Sequence, residues 1–212
     1  MPASASSFLR LFPSNVLVNP RLFVVSGPSG AGKGTLLEKV RAQRQDLGLT
    51  VSATTRAPRP GEIDGQAYHF MSQTQFDEHL RKGDFLEWAR VHGHCYATPK
   101  SEVDACLAKG QSVILEIDVQ GALQVKERIP EAVLIFIEPP SLEVLAQRLR
   151  NRHTEAEKDI ELRLANASKE LSLADKYDAR IVNDDLATAA RELASCIRRY
   201  EAGDTTAAAT TK

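Results

Sequence analysis

Leu22-Phe23-Val24-Val25-Ser26-Gly27-Pro28-Ser29-Gly30-Ala31-Gly32-Lys33-Gly34-Thr35 decides how the rest of this chain is read. A short continuous apolar run, Leu22 to Val25, is the pattern of a strand buried on both faces. It passes at once into a glycine-rich turn that satisfies G-x-x-x-x-G-K. The stretch after the turn places Leu36, Leu37 and Val40 on one helical face. Strand, glycine turn and helix in that order suit a phosphate-binding loop. The glycines let successive N–H groups point inward at phosphate oxygens, and the helix N-terminus adds its unpaired amides and positive dipole end. Lys33 adds a full charge at the terminal phosphates. The expected nucleotide site is therefore Gly27, Pro28, Ser29, Gly30, Ala31, Gly32, Lys33, Gly34 and Thr35. Gly34 stands where Ser or Thr usually offers Mg²⁺ a hydroxyl, so either Thr35 serves instead or water completes the metal shell.

Working outward, buried-strand runs recur at Ser112–Leu115 and Ala132–Ile137, with a shorter one at Ile181-Val182. Helical patterns cover roughly Val119–Arg128, Leu142–Asn151, Ala156–Ala174 and Leu186–Glu201. Strands alternating with helices imply an α/β fold with a parallel sheet flanked by helices. Residues 52–98 break that rhythm with Pro58, Pro60, Gly61, Gly65 and short β-like pieces at Tyr68–Phe70 and Phe85–Val91, which reads as a small inserted lobe. Residues 141–175 read as a charged helical lid carrying Arg148, Arg150, Arg152 and Arg163. Residues 1–20 are expected to be a disordered leader and 203–212 a disordered tail around a single folded unit, 21–202.

The 212 residues allow one substantial core, and the formal net charge of -1 offers no bulk attraction for nucleic acid or anionic membranes. Anion binding must come from locally placed Arg and Lys. No apolar run approaches the length that spans a bilayer. Three scattered cysteines, Cys95, Cys106 and Cys196, form neither a disulfide framework nor a zinc set, pointing to a reducing compartment, the cytoplasm. His92-Gly93-His94 reads as a hairpin turn. Ser52-Ala-Thr-Thr-Arg56-Ala-Pro-Arg59-Pro-Gly-Glu62 sets two arginines beside hydroxyls on a proline-stiffened turn. It is either a second anion site or a solvated basic loop.

In combination these segments resemble the guanylate kinase family. The shared features are the phosphate loop, the Ser52–Glu62 segment, and Gly65 with Tyr68 and Phe70. Next come Phe85-x-Glu87-Trp88, Tyr96-x-Thr98 and Ile117-Asp118-x-Gln120-Gly121, then Pro139-Pro140-Ser141 and Ile181-Val182-Asn183-Asp184-Asp185. They run in order from about Phe23 to Tyr200. The resemblance implies the phosphate-loop nucleoside-monophosphate kinase fold and reversible transfer of the γ-phosphoryl group of ATP to GMP, and to dGMP, with Mg²⁺ accompanying ATP. Ser52, Arg56, Arg59, Tyr68 and Tyr96 would hold the GMP phosphate. Glu87, with Thr98 and Asp118, would read guanine, whose N1–H and exocyclic amine suit a carboxylate. Arg148, Arg152 and Arg163 would close over the transferring group beside Lys33 and Arg56, and Asn183 would lie near adenine. Ala97, Glu116 and His153 depart from the family's usual residues. Trp88 reads as a core aromatic. Two other activities fit parts of the pattern: a phosphopeptide-binding module, which typically loses parts of the loop kept here, and a kinase for another nucleoside monophosphate.

Overall fold

The computed structural model describes residues 19–91, 93–151 and 157–204, with Asp159 described for its backbone alone. Strand β1 (Leu22–Ser26) leads through the glycine turn into helix α1 (Lys33–Gln43). Then follow β2 (Ala53–Thr54), β3 (His69–Phe70), α2 (Gln73–Lys82), β4 (Phe85–Val91), β5 (His94–Pro99) and α3 (Lys100–Ala108). The chain continues with β6 (Val113–Glu116), α4 (Val119–Arg128), β7 (Val133–Glu138) and α5 (Leu142–Arg150). It ends with α6 (Glu157–Leu171), a 3₁₀ turn (Ala174–Lys176), β8 (Ala179–Val182) and α7 (Leu186–Glu201).

Two sheets result. The first, ordered β6-β1-β7-β8, is parallel throughout. Strands β1, β6 and β7 carry continuous apolar runs because alternate side chains enter different cores, while β8 is interrupted by the exposed Arg180. Phe23 and Val25 of β1 join Ile135 and Ile137 of β7, Leu36, Leu37 and Val40 of α1, and Leu193 and Ile197 of α7 on one face. Leu22 and Val24 join Leu134 and Phe136 with Val103 of α3 and Val119, Ala122 and Val125 of α4 on the other. The parallel sheet flanked by helices is thus as the sequence implied. Burying a residue the size of Phe23, wholly enclosed here, contributes about 2–3 kcal/mol before packing is counted.

The second sheet, β3-β2-β5-β4, mixes a parallel β2–β3 pair with antiparallel β2–β5 and β5–β4 pairs. Its small core holds Ala53, Phe76, Phe85, Cys95 and Ala97, with Trp88 packed against it. Trp88 meets Phe76 edge-on at 6.3 Å, in keeping with its reading as a core aromatic. Four elements here escape periodicity. Strand β2 has two residues and β5 alternates weakly, while α2 buries Phe76 alone and α3 only Val103 and Cys106. The one local signal for α2 is a capping box, in which Ser72 Oγ accepts from Gln75 N and Gln75 Oε1 from Ser72 N.

Gly27 is the most constrained turn position, with φ +145°, and a Cβ there would sit 2.1 Å from the Ile137 carbonyl oxygen. That neighbour is ladder backbone and cannot move aside. Gly27→Ala should therefore destabilise the protein by roughly 2–4 kcal/mol, lowering Tm by ~5–15 °C in a calorimetric scan. An unchanged Tm would contradict the packing described.

Candidate active site

The glycine turn leaves the sheet at the C-terminal end of β1 with Gly27, Gly30 and Gly32 all at positive φ. Helix α4 is capped by the side chain of Asp118, α5 by Ser141 and α7 by Asp185. Helix α1 begins instead at Gly32, with no side-chain cap and no acid in its first turn. Its leading amides and dipole end are directed at the turn, the arrangement that attracts an anion. Lys33 Nζ donates to the carbonyls of Gly27 at 2.5 Å and Pro28 at 3.1 Å, so the cation is folded over the turn. Ser29, Gly34 and Thr35 are exposed around it, while Pro28, Gly30 and Ala31 are buried.

Three distant segments grip this turn. Asn183, 5% exposed after β8, donates from Nδ2 to the Ala31 carbonyl at 2.8 Å. A Cβ on Gly32 would lie 2.5 Å from that same nitrogen. Arg148 of α5 donates to the Asn183 carbonyl at 2.9 Å. Arg163 of α6 reaches Ser29 Oγ at 2.7 Å. The α5–α6 pair carrying these arginines packs on Leu145, Leu149, Ile160 and Ala167. Arg150 faces outward and pairs with Glu157 at 2.5 Å, a solvent-exposed ion pair. Arg152 and His153 lie outside the described residues, as do His92, residues 1–18 and residues 205–212.

A second cleft, of about 220 Å³, opens between the two sheets, and Glu116 on its wall approaches Gly34 at the start of α1. Ser52, Tyr68, Glu87, Tyr96, Ala97, Glu116 and Asp118 line the cleft, which brings together five of the eight residues expected around GMP. Thr98 joins them by donating from Oγ1 to Glu87 Oε1 at 2.7 Å. Tyr68 and Tyr96 meet edge-on at 6.0 Å. Arg56 extends over the Tyr68 ring, 5.4 Å from its centroid, and pairs with Glu62 at 2.9 Å. Glu62, with a smaller contribution from Tyr96, holds the Arg56 guanidinium above its ordinary pKa. Arg59 is exposed on the same turn, its N–H donating to Glu62 Oε2 at 2.7 Å.

Glu87 is 4% exposed, and burial, helped by the nearby Asp118 charge, pushes its carboxyl up to about 7. A buried acid at the wall of a cleft suits recognition of a ligand that offers N–H donors. Asp118 connects the two sites. Ser26 Oγ, at the end of β1, donates to the Ile117 and Asp118 carbonyls at 2.8 and 3.2 Å, while the Asp118 side chain accepts from Gly121 N at 2.8 Å.

Sequence reasoning passed over Glu170. It sits half-buried late in α6, where burial raises its carboxyl and the Lys33 charge partly offsets the rise. In the sequence it is one acid among many on a charged helix, and nothing local marks it. Glu62 lies in the same sequence segment as Arg56, yet its role as the partner of Arg56 emerges only in three dimensions.

The family model for guanylate kinase matches residues 19–200. The guanylate kinase of Gloeobacter violaceus is 57% identical over 169 residues, covering 80% of this chain and 82% of that one. That of Rubrobacter xylanophilus is 48% identical over 183 residues, covering 86% and 96%. The crystal structure of guanylate kinase from Anaplasma phagocytophilum superposes with a TM-score of 0.68 at 33% identity, covering 87% of each chain.

The raised Glu87 pKa fixes a sign. Between the ordinary carboxylate range and about 7 the folded state holds a proton that the unfolded state has released, so this contribution to stability is fully present at low pH and lost as pH rises through about 7. Gln at this position cannot ionise. The Tm of Glu87→Gln minus that of the unaltered protein should therefore grow between pH 5 and pH 8, and a constant difference would remove the case for a buried acid.

Proposed function

The chain belongs to the guanylate kinase family, and on that premise we propose how its two adjoining sites divide the work of moving a phosphoryl group between nucleotides. It is an ATP-dependent nucleoside-monophosphate kinase that transfers the γ-phosphoryl group of ATP to GMP. In our reading the glycine turn with Lys33 receives the ATP phosphates, and the cleft bounded by residues 52–98 receives GMP. Residues 141–175 act as the lid.

The observation that carries the division of roles is the buried Glu87 carboxylate, bonded to Thr98 and turned toward a cleft that adjoins the glycine turn. An ionised carboxylate accepts from both guanine N1–H and the exocyclic amine. Adenine N1 would instead face it with a lone pair, leaving a buried charge unpaired, a mismatch that discriminates by ~10⁴-fold in sites built on hydrogen bonds. Asp118 contributes a second acceptor. Ser52, Arg56, Arg59, Tyr68 and Tyr96 bind the GMP phosphate, and Glu62 keeps Arg56 aimed across the Tyr68 ring. By family resemblance dGMP is proposed as a second acceptor.

The nucleophile is an oxygen of the GMP phosphate, whose second ionisation lies near pH 6, so no protein base is needed. What the reaction demands is alignment of two anions and neutralisation of their shared charge. Lys33 exchanges the Gly27 and Pro28 carbonyls for phosphate oxygens. Arg56 holds the acceptor, while Arg148 and Arg163, with Arg152 by its place in the motif, converge from the lid and exclude water. Asn183 contacts the adenine side and holds the turn through Ala31.

Hard oxygen donors near the turn fit a magnesium ion. Thr35 is exposed beside Gly34, and Glu116 places its carboxylate oxygens 3.8 and 3.9 Å from where a Cβ on Gly34 would be. Among the described residues no group of three or more His, Cys, Asp or Glu could hold a metal ion, so ATP oxygens and water would supply most ligands. Bound there, Mg²⁺ would supply Lewis-acid neutralisation of charge on the ATP phosphates. The cysteines Cys95, Cys106 and Cys196 are free and buried, which favours the cytoplasm. Among the described residues no helix is long and apolar enough to cross a membrane.

A coupled ADP-release assay tests this reading. GMP and dGMP should support turnover and AMP should not. Lys33→Ala and Arg59→Ala should each reduce kcat/KM by ~10² or more, and Glu87→Gln should erode the preference for GMP over AMP. Full turnover in Lys33→Ala, or equal use of AMP by the unaltered enzyme, would refute these assignments.

A further inference from the structure

We propose that one stripe of helix α4, formed by Gly121, Gln124 and Arg128, positions the Glu87 carboxylate and thereby sets the acceptor specificity of the kinase. This rests on the reading of Glu87 as the guanine-recognising group and extends it to residues that touch no substrate.

Strand β4, which carries Glu87, lies at the edge of its sheet and pairs with β5 alone. A row of its main-chain donors and acceptors therefore faces away from the ladder. Register also shifts between Phe85 and Glu87, an irregularity that changes where the following side chains point and that the ladder does not itself fix. Helix α4, from the other sheet's layer, meets this open edge. Arg128 Nη1 donates to the Phe85 carbonyl at 3.1 Å and to the Leu86 carbonyl. Gln124 Nε2 donates to the Trp88 carbonyl at 3.0 Å, and Gln124 Oε1 accepts from Trp88 N at 3.4 Å. The side-chain amide thus replaces a missing strand neighbour. The backbone is held immediately before and immediately after residue 87.

Gly121 completes the stripe. Positions 121, 124 and 128 are spaced i, i+3, i+7 and share one helical face. A Cβ at 121 would lie 2.5 Å from Glu87 Oε2, so the carboxylate is seated against bare helix backbone. The helix N-cap, Asp118, lines the same cleft. The Arg128 charge also favours the ionised form of Glu87, against burial and Asp118. Recognition by hydrogen bonds is sensitive to displacements of about 1 Å, and the edge strand has no other lateral support of this kind among the contacts described.

Arg128→Met and Gln124→Met keep side-chain bulk and remove the donors. Each is assayed with Glu87→Gln as reference, and thermal melting checks that each folds. Trp88 is the single tryptophan and its backbone is what Gln124 holds, so its emission on titration with GMP alone gives a readout independent of turnover. The expected result is a tenfold or greater rise in KM for GMP, a similar fall in the GMP-over-AMP ratio of kcat/KM, a KM for ATP within twofold, and an altered GMP-induced change in Trp88 emission. Arg128→Lys, which retains a cationic donor, should recover most of the loss and serves the test even if Arg128→Met does not fold. The proposal is overturned if the GMP-over-AMP ratio survives Arg128→Met and Gln124→Met while Glu87→Gln collapses it, or if the constants for ATP and GMP move together. If Glu87→Gln itself leaves the ratio intact, the underlying assignment of Glu87 fails, and the positioning role falls with it.

Discussion

The turn after β1 runs through a passage too narrow for side chains, and most of the molecule is arranged around that fact. A Cβ on Gly27 would strike the Ile137 carbonyl of β7, one on Gly30 would meet Leu145 and Leu149 of α5, and one on Gly32 would meet Asn183. Three parts of the chain, separated by more than a hundred residues from the turn, press on it from different sides. This close packing holds the amides in one orientation before any anion arrives. An anion site built from backbone N–H groups gains most when the orientation cost is already met by folding.

The same packing connects the turn to the second cleft. The β6–α4 connection passes between them, receiving Ser26 Oγ on its carbonyls and offering Asp118 to the cleft. Helix α4 then runs under β4. A helix belonging to the parallel-sheet layer therefore supports a strand of the other sheet. Helices α5 and α6 reach the turn by a separate route, through Arg163 on Ser29 and Arg148 on Asn183.

Charge is distributed by burial rather than in bulk. The chain carries a formal net charge of -1, yet Lys33 and Arg163 sit at the glycine turn and Arg56 beside the second cleft. Each is restrained before substrate binds: Lys33 by loop carbonyls, Arg56 by Glu62 and two aromatic rings, Arg163 by Ser29. Two acids near the sites behave in the opposite way. Glu87 is buried and Glu170 half-buried, so their ionisation depends on what lies opposite them. Arg150, exposed and paired with Glu157, marks where this functional cluster ends.

The sequence by itself determined the β1–turn–α1 unit, the four strands of the parallel sheet to within a residue or two, and the helices that follow them, because burial on both faces writes long apolar runs and one-sided burial writes a helical period. It also marked most residues of the second cleft, since glycines, prolines and paired arginines are rare enough in combination to stand out. It did not mark α2, α3 or β5, whose buried residues are too few to make a period. Nor did it mark Glu170 beside Lys33, or Gln124 and Arg128 along β4. Those roles come from contacts between residues tens to more than a hundred positions apart, and from the loss of water around particular carboxylates. Local patterns record which face of an element is apolar; which polar group meets another across the core, and in what dielectric, is decided only when the layers close.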